Sequence, residues 1–220
     1  MLALVKEVNG RVYDNAARQT QSAETRQRVL NAAHQLIVER GYRKTTVADI
    51  ALEAGVHIDT VYALVGRKPV LLRELIEQAV SGTDRAVTPE ERNYVKAILA
   101  EPDPARKLAI YARAVRHIQA RMAPLFLALR DASATEPEAG VVWREISDRR
   151  AKNMRDLVRN LKAADGLRDD LSIDEAADTI WATNSSELYV LLTVERGWPP
   201  DRYERWLAEA WCRLLLPDTR

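Results

Sequence analysis

The segment from Thr45 to Lys68, TTVADIALEAGVHIDTVYALVGRK, leaves the chain fewer options than any other stretch. Thr46 followed by Asp49 has the form of a capping box, in which the hydroxyl and the carboxylate each take a backbone N–H that the first helical turn leaves unpaired, and Asp49 also favours the positive end of the helix dipole. Val47, Ile50, Ala51 and Ala54 then recur at helical spacing, and small Ala51 lets another backbone approach closely. Gly55 predicts the stop, because a left-handed residue after a helix costs little only without a Cβ. A second short helix is expected from about Ile58 to Leu64, with Val61 inward and Ile58, Asp59, Thr60, Tyr62 and Ala63 outward. Two short helices joined by so tight a turn make a helix-turn-helix, whose second helix is shaped to enter the DNA major groove.

Around this segment the chain resembles the tetracycline-repressor (TetR) family of one-component regulators. The resemblance lies in Gly41-Tyr42, Thr45-Thr46-Val47, Ile50-Ala51, Ala54-Gly55-Val56, Thr60-Val61-Tyr62, Gly66-Arg67-Lys68 and Leu71-Leu72, in that order, and covers roughly residues 24–80. It implies an all-α protein: a three-helix DNA-binding domain followed by a helical domain for ligand binding and dimerisation. It further implies a homodimer, paired through its last two helices, that binds a palindromic operator as a repressor and releases it when a small effector enters the helical domain.

By the same resemblance, phosphate contacts fall on Thr46, Tyr62 and Lys68, with Arg43 and Lys44 as neighbouring charge donors. Such contacts position a protein without reading sequence, and each neutralised phosphate adds about −0.9 to the log–log salt slope. Base reading is expected from Ile58, Asp59, Thr60 and Ala63: Thr60 offers a hydroxyl and a methyl, Asp59 accepts from cytosine N4, and Ile58 meets a thymine methyl. Two positions depart from the family pattern: Leu64 stands where an aromatic or His commonly touches phosphate, and Val65 stands where Phe is usual. Asp59 also brings negative charge near the duplex. His57, at the expected cap of the reading helix, either replaces the usual small hydroxyl there or approaches DNA, with a solvated helix end as the alternative.

The rest of the chain reads as helices. Residues 1–21, with Arg11, Tyr13, Asp14, Asn15 and Arg18, lack a sustained apolar period and read as an arm, either a flexible tail or a basic segment reaching the DNA backbone or minor groove. A helix is expected from Ser22 to Arg40, completing a reader over residues 22–66. Residues 67–220 form the larger domain. Its predicted helices are a connecting one from Arg67 to about Ser81, one from Thr88 to about Ala100, and a long one after Pro104 that Pro124 kinks or restarts. Further helices are expected at Pro137–Ala164, Ile173–Glu195 and Asp201–Leu216. The formal charge is only +1, and residues 1–80 carry 11 Lys/Arg against 9 Asp/Glu, so DNA affinity must come from local placement. A single cysteine, Cys212, excludes an intrachain disulfide, and no apolar run reaches membrane length, which makes a cytoplasmic protein the expectation.

Ligand candidates, by residue type and position, are Tyr111, His117, Arg121, Phe126, Trp143, Trp181, Asn184 and Tyr189, with the polar run Thr183-Asn184-Ser185-Ser186 inside an otherwise apolar-faced helix. The sequence has no nucleotide-binding Gly loop, H-E-x-x-H or G-x-S-x-G elbow, so no catalytic residue, metal ligand or cofactor is assigned. The alternative to a regulator is a helical small-molecule binder whose reader has weakened.

Overall fold

The computed structural model describes residues 2–83 and 87–217, with side chains from Arg18 onward. Among these residues all regular structure is helical. The chain divides into two compact units, the first ending at Leu75 and the second starting at Ile76, so the division falls inside the connecting helix rather than at residue 67.

The first unit is built on α1 (Leu2–Arg40), α2 (Val47–Ala54), α3 (Ile58–Val65) and the start of α4 (Lys68–Ser81). The helix expected from Ser22 starts at Leu2 instead. Residues 2–21 contain no proline, so no residue there lacks the backbone donor that a continuing helix needs. Thr25 sits mid-helix and turns its hydroxyl back to the Gln21 carbonyl at 2.8 Å. The side chains of Arg11, Tyr13, Asp14 and Asn15 lie outside the described residues, and Arg18 is exposed. α1, α2 and α3 pack on one another around Val29, Leu30, Leu36, Ile37, Ile50, Val61 and Val65, all buried. Each fully buried side chain of this kind is worth roughly 1.5–3 kcal/mol.

The second unit contains α5 (Asn93–Ala100), α6 (Pro104–Ser133), α7 (Pro137–Ala163), α8 (Ile173–Thr183), α9 (Ser186–Val190) and α10 (Pro200–Leu215). α6 is its axis: α5, α7, α9 and α10 all pack against it, and α8 packs on α7. The core they enclose includes Leu108, Tyr111, Val115, Met154, Val158, Leu161, Ile180, Tyr203, Leu207, Trp211 and Leu215. Gly166 lets the end of α7 approach the start of α6, because a Cβ there would stand 2.4 Å from the Pro104 ring.

Three helix boundaries differ from expectation. Thr88 does close a capping box with Glu91, but over a separate 3₁₀ turn, Pro89–Glu91, and α5 starts afresh after the extended Arg92. Pro124 neither ends nor restarts α6. Pro124 and Ala120, whose carbonyl loses its donor, are both exposed, so water can take that bond. The helix expected over Ile173–Glu195 is broken at Asn184, restarts from a Ser185 cap, and finishes as a π turn over Leu191–Glu195. Its start at Ser172 is as expected, with a capping box to Glu175.

Candidate functional site

In the reader the local chemistry works as its spacing implies. Thr46 caps α2: the Asp49 N–H donates to its hydroxyl at 3.1 Å, while its own N–H and hydroxyl donate to the Asp49 carboxylate at 2.9 and 2.7 Å. Those bonds, the side-chain one first, hold the Asp49 carboxyl below the usual range. With Thr46 occupied in this way, the donors left at the start of α2 are the backbone N–H groups of Val47 and Ala48, which find no acceptor among the described residues. Gly55 is left-handed, with φ of 66°.

On α3, Val61 and Val65 are buried while Asp59, Tyr62 and Ala63 are exposed and Ile58 and Thr60 partly so. The helix therefore offers one continuous outward face. His57 caps it weakly, its Nδ1 accepting from the Asp59 N–H at 3.4 Å. Arg43 and Lys44 are exposed in the turn before α2. The Lys68 ammonium donates to the carbonyls of Tyr42 and Thr45 at 3.1 and 3.2 Å and lies 3.8 Å over the Tyr42 ring, tying the start of α4 to that turn. Both departures from the family pattern are absorbed by packing. Val65 fills a core position, and the carbonyl of Leu64 accepts from Arg26 Nε at 3.2 Å while the Arg26 guanidinium makes a two-pronged pair with Glu74.

The second unit holds a cavity of about 280 Å³, toward the small end for a ligand site. Its apolar wall includes Val95, Ile98, Val115, Ile118, Met122 and Leu157. Of the eight ligand candidates, Tyr111 and Asn184 line it and the other six do not. His117 is exposed beside Arg116, and Arg121 donates to the Ala79 carbonyl at 2.9 Å. Phe126 is buried behind Arg150, Trp143 is partly buried, the Trp181 ring lies 5.3 Å from the Arg150 guanidinium, and Tyr189 meets Tyr203 edge-on. Aromatic type alone misleads here, because an aromatic ring fills a helical core as readily as it lines a pocket.

The polar groups that sequence reading passed over are Arg92, Gln119 and Arg150. Arg150 Nη2 donates to Asn184 Oδ1 at 2.6 Å and the Trp181 carbonyl at 3.3 Å. Asn184 Nδ2 donates to the Tyr111 hydroxyl at 2.9 Å, and Gln119 Nε2 donates to the Asn184 carbonyl at 2.5 Å while accepting from the Ser186 hydroxyl at 2.9 Å. The break between α8 and α9 is thus held by side chains from α6 and α7. Burial pushes the Tyr111 phenol well above the usual tyrosine range, so it stays neutral as a hydrogen-bonding group. A signal for Arg150 and Gln119 was present: each stands on an apolar stripe, between Ile146 and Met154 on α7 and between Val115 and Met122 on α6, where a polar residue needs a partner. Among the described residues no group of His, Cys, Asp or Glu is placed to hold a metal, and no helix is long and apolar enough to cross a membrane.

Residues 29–75 match the model of the family described as bacterial regulatory proteins, tetR family. An uncharacterized HTH-type transcriptional regulator of Bacillus subtilis (strain 168), YvkB, is 35% identical over 75 residues, a match that spans 34% of this chain and only 40% of that protein. Among solved structures the chain is similar to NalD, the secondary repressor of the MexAB-OprM multidrug efflux pump in Pseudomonas aeruginosa, at a TM-score of 0.70 and 22% identity over 90% of this chain and 100% of that one. The transcriptional regulator FadR from Bacillus subtilis, in complex with stearoyl-CoA, gives 0.69 and 18% over 84% and 97%. A protein from Saccharomonospora viridis, described as a transcriptional regulator and crystallised with choline, gives 0.67 and 21% over 88% and 98%. At these identities the likeness to solved structures establishes a shared fold, while the family match falls on the helix-turn-helix itself. A capped, glycine-punctuated reader that bears the family's sequence over residues 29–75, in a chain with the fold of these regulators, gives this protein a helix-turn-helix domain of the tetR family.

Proposed function

We propose that this regulator is a repressor that binds a palindromic operator as a homodimer and lets go when a small molecule occupies the cavity of its second unit. The observation that carries the reading is the outward face of α3: Asp59, Thr60, Tyr62 and Ala63 lie on the side opposite Val61 and Val65, with Arg43 and Lys44 exposed nearby. In a dimer the two reading helices then sit one DNA turn, about 34–36 Å, apart. Apolar residues left outward near the end of the chain, Leu191, Val194 and Leu214, support pairing through the last helices, which would cover them.

Phosphate contacts fall to Tyr62, Arg43, Lys44 and the N-terminus of α2 at Thr46, with Lys68 holding the turn that presents them. Base contacts fall to Ile58, Asp59, Thr60 and Ala63, beside His57. Regulators of this fold have been crystallised with ligands as unlike as choline and stearoyl-CoA, which supports the cavity as an effector site but does not choose an effector. A ligand held more tightly at one separation of the reading helices than at another shifts the equilibrium by that difference in affinity and by nothing else.

An electrophoretic shift assay with the DNA flanking the protein's own gene tests the reading. Retardation that a scrambled duplex does not compete away is expected at moderate salt, together with a two-chain mass by sedimentation. The competing reading, a small-molecule binder with a weakened reader, rests on the Asp59 charge on the DNA face. No retardation at any salt would favour it.

Two substitutions divide the face by role. Tyr62→Phe is expected to weaken specific and scrambled duplexes by the same factor, because a phosphate contact is blind to sequence. Thr60→Ala is expected to change discrimination at one base pair by about 1–3 kcal/mol, measured with a set of single-substitution operators. Equal losses on specific and scrambled DNA for Thr60→Ala would remove its base-reading role.

A further inference from the structure

The charges on the cavity wall do not balance locally. Glu77 is paired with Arg149, Asp156 with Lys152 and Arg159, and Glu90 is exposed. Arg150 has no carboxylate partner among the described residues; the nearby Glu187 is taken by Arg130. Only Nη2 of its guanidinium finds protein acceptors, both neutral, which leaves Nε and Nη1 available at the wall. The rings of Phe126 and Trp181, with centroids 5.5 and 5.3 Å away, keep the guanidinium in place. A second wall cation, Arg92, is buried, donates to the Val87 carbonyl, and has an Nε with no acceptor. Behind the wall the Lys107 ammonium is also buried on neutral acceptors, the Ile98 carbonyl at 2.7 Å and Asn160 Oδ1 at 2.8 Å. Two wall cations and a third behind them, all hydrogen-bonded only to neutral acceptors among the described residues, make the cavity an environment that favours negative charge.

We infer that the effector is an amphipathic anion, a carboxylate or phosphate group seated on the Arg150 guanidinium and carried by an apolar body of roughly ten carbons that lies against Val95, Ile98, Val115, Met122 and Leu157. The inference rests on the cavity being the effector site. It also supplies a route for the signal. An anion on Nε and Nη1 pulls on the same guanidinium that holds Asn184 through Nη2, and Asn184 is the residue at which α8 gives way to α9. Burial disfavours the Arg150 charge and lowers its pKa, so an arriving anion restores what burial removes.

Isothermal titration of the full chain, without DNA, with decanoate, decyl phosphate, 1-decanol and decyltrimethylammonium tests the inference. Either anion is expected to bind at least tenfold more tightly than the alcohol or the ammonium, and the better of the two anions tells carboxylate from phosphate. Arg150→Gln is expected to weaken that anion at least tenfold while leaving decanol within twofold, and Arg150→Lys to keep the preference for anion over ammonium. Decanol or decyltrimethylammonium binding as tightly as the anions overturns the inference, as does no heat from either anion at millimolar concentration. The comparison of headgroups on the unaltered chain decides even if Arg150→Gln does not fold. Because no DNA is present, failure to retard an operator leaves this result standing. Tight decanol binding, in turn, removes the anion but keeps the cavity as the site.

Discussion

Trp211→Ala is expected to remove about 3–5 kcal/mol from the stability of the second unit, the usual cost of emptying a fully buried tryptophan site. Trp211 is among the largest fully buried side chains of the protein. Its indole stacks on Tyr111 with ring centroids 5.3 Å apart, and its Nε1 donates to the Thr183 hydroxyl at 2.7 Å, beside the break between α8 and α9. The substitution therefore opens a cavity next to the ligand cavity and also leaves the Thr183 hydroxyl short of a donor, so relaxation around it is poor. For a unit of this size the melting temperature should fall by roughly 10 °C or more. Urea unfolding followed by far-ultraviolet circular dichroism reads the loss directly. Arg213→Ala, two residues along the same helix and on its exposed face, serves as the control and is expected to stay within about 0.5 kcal/mol. Equal effects of the two substitutions would contradict the placement of α10.

Asn184→Leu should cost about 2–4 kcal/mol for a different reason. Leucine is close in size, so no hole is made. What is lost is the acceptor for Arg150 Nη2 and the donor to the Tyr111 hydroxyl, both in a poorly hydrated part of the cavity wall. A cation stripped of its best neutral partner carries the larger share. The expectation is sharpened by a double-mutant cycle: Arg150→Met removes the group that needs Asn184, so the double substitution should cost less than the sum of the singles by about 0.5–3 kcal/mol. Strict additivity, measured by urea midpoints at constant slope, would show that the contact contributes nothing. The same cycle bears on signalling, since Arg150, the proposed seat of the anion, also holds Asn184.

The two departures on α3 that sequence reading treated as a threat to the reader, Leu64 and Val65, show how far local pattern carries. Valine is smaller than the Phe usual there, yet Val65 is buried, and Leu64 contributes a carbonyl to Arg26 rather than a side chain to phosphate. Neither outcome is visible from spacing, because Arg26 lies 38 residues from Leu64. Asp59 is different. Its exposure is what an outward residue on α3 implies, and its charge remains on the face proposed to meet DNA.

What the amino-acid order determined by itself is the reader. Capping at Thr46 and Asp49, the left-handed Gly55, the inward Val61 and the family motif all depend on residues within a few positions of one another, and hydrogen bonds of that range form wherever the segment folds. The helical class and most helix ends followed from the same short-range chemistry. The cavity was decided only in three dimensions. Arg92, Tyr111, Gln119, Arg150 and Asn184 come from the segment before α5, from α6, from α7 and from the break after α8, and their polar atoms find partners only once these are packed together. For the same reason the helix predicted through residue 195 breaks at Asn184. A peptide can leave a helix inside a core when side chains from elsewhere take its hydrogen bonds, and here those are Gln119 on α6 and Arg150 on α7.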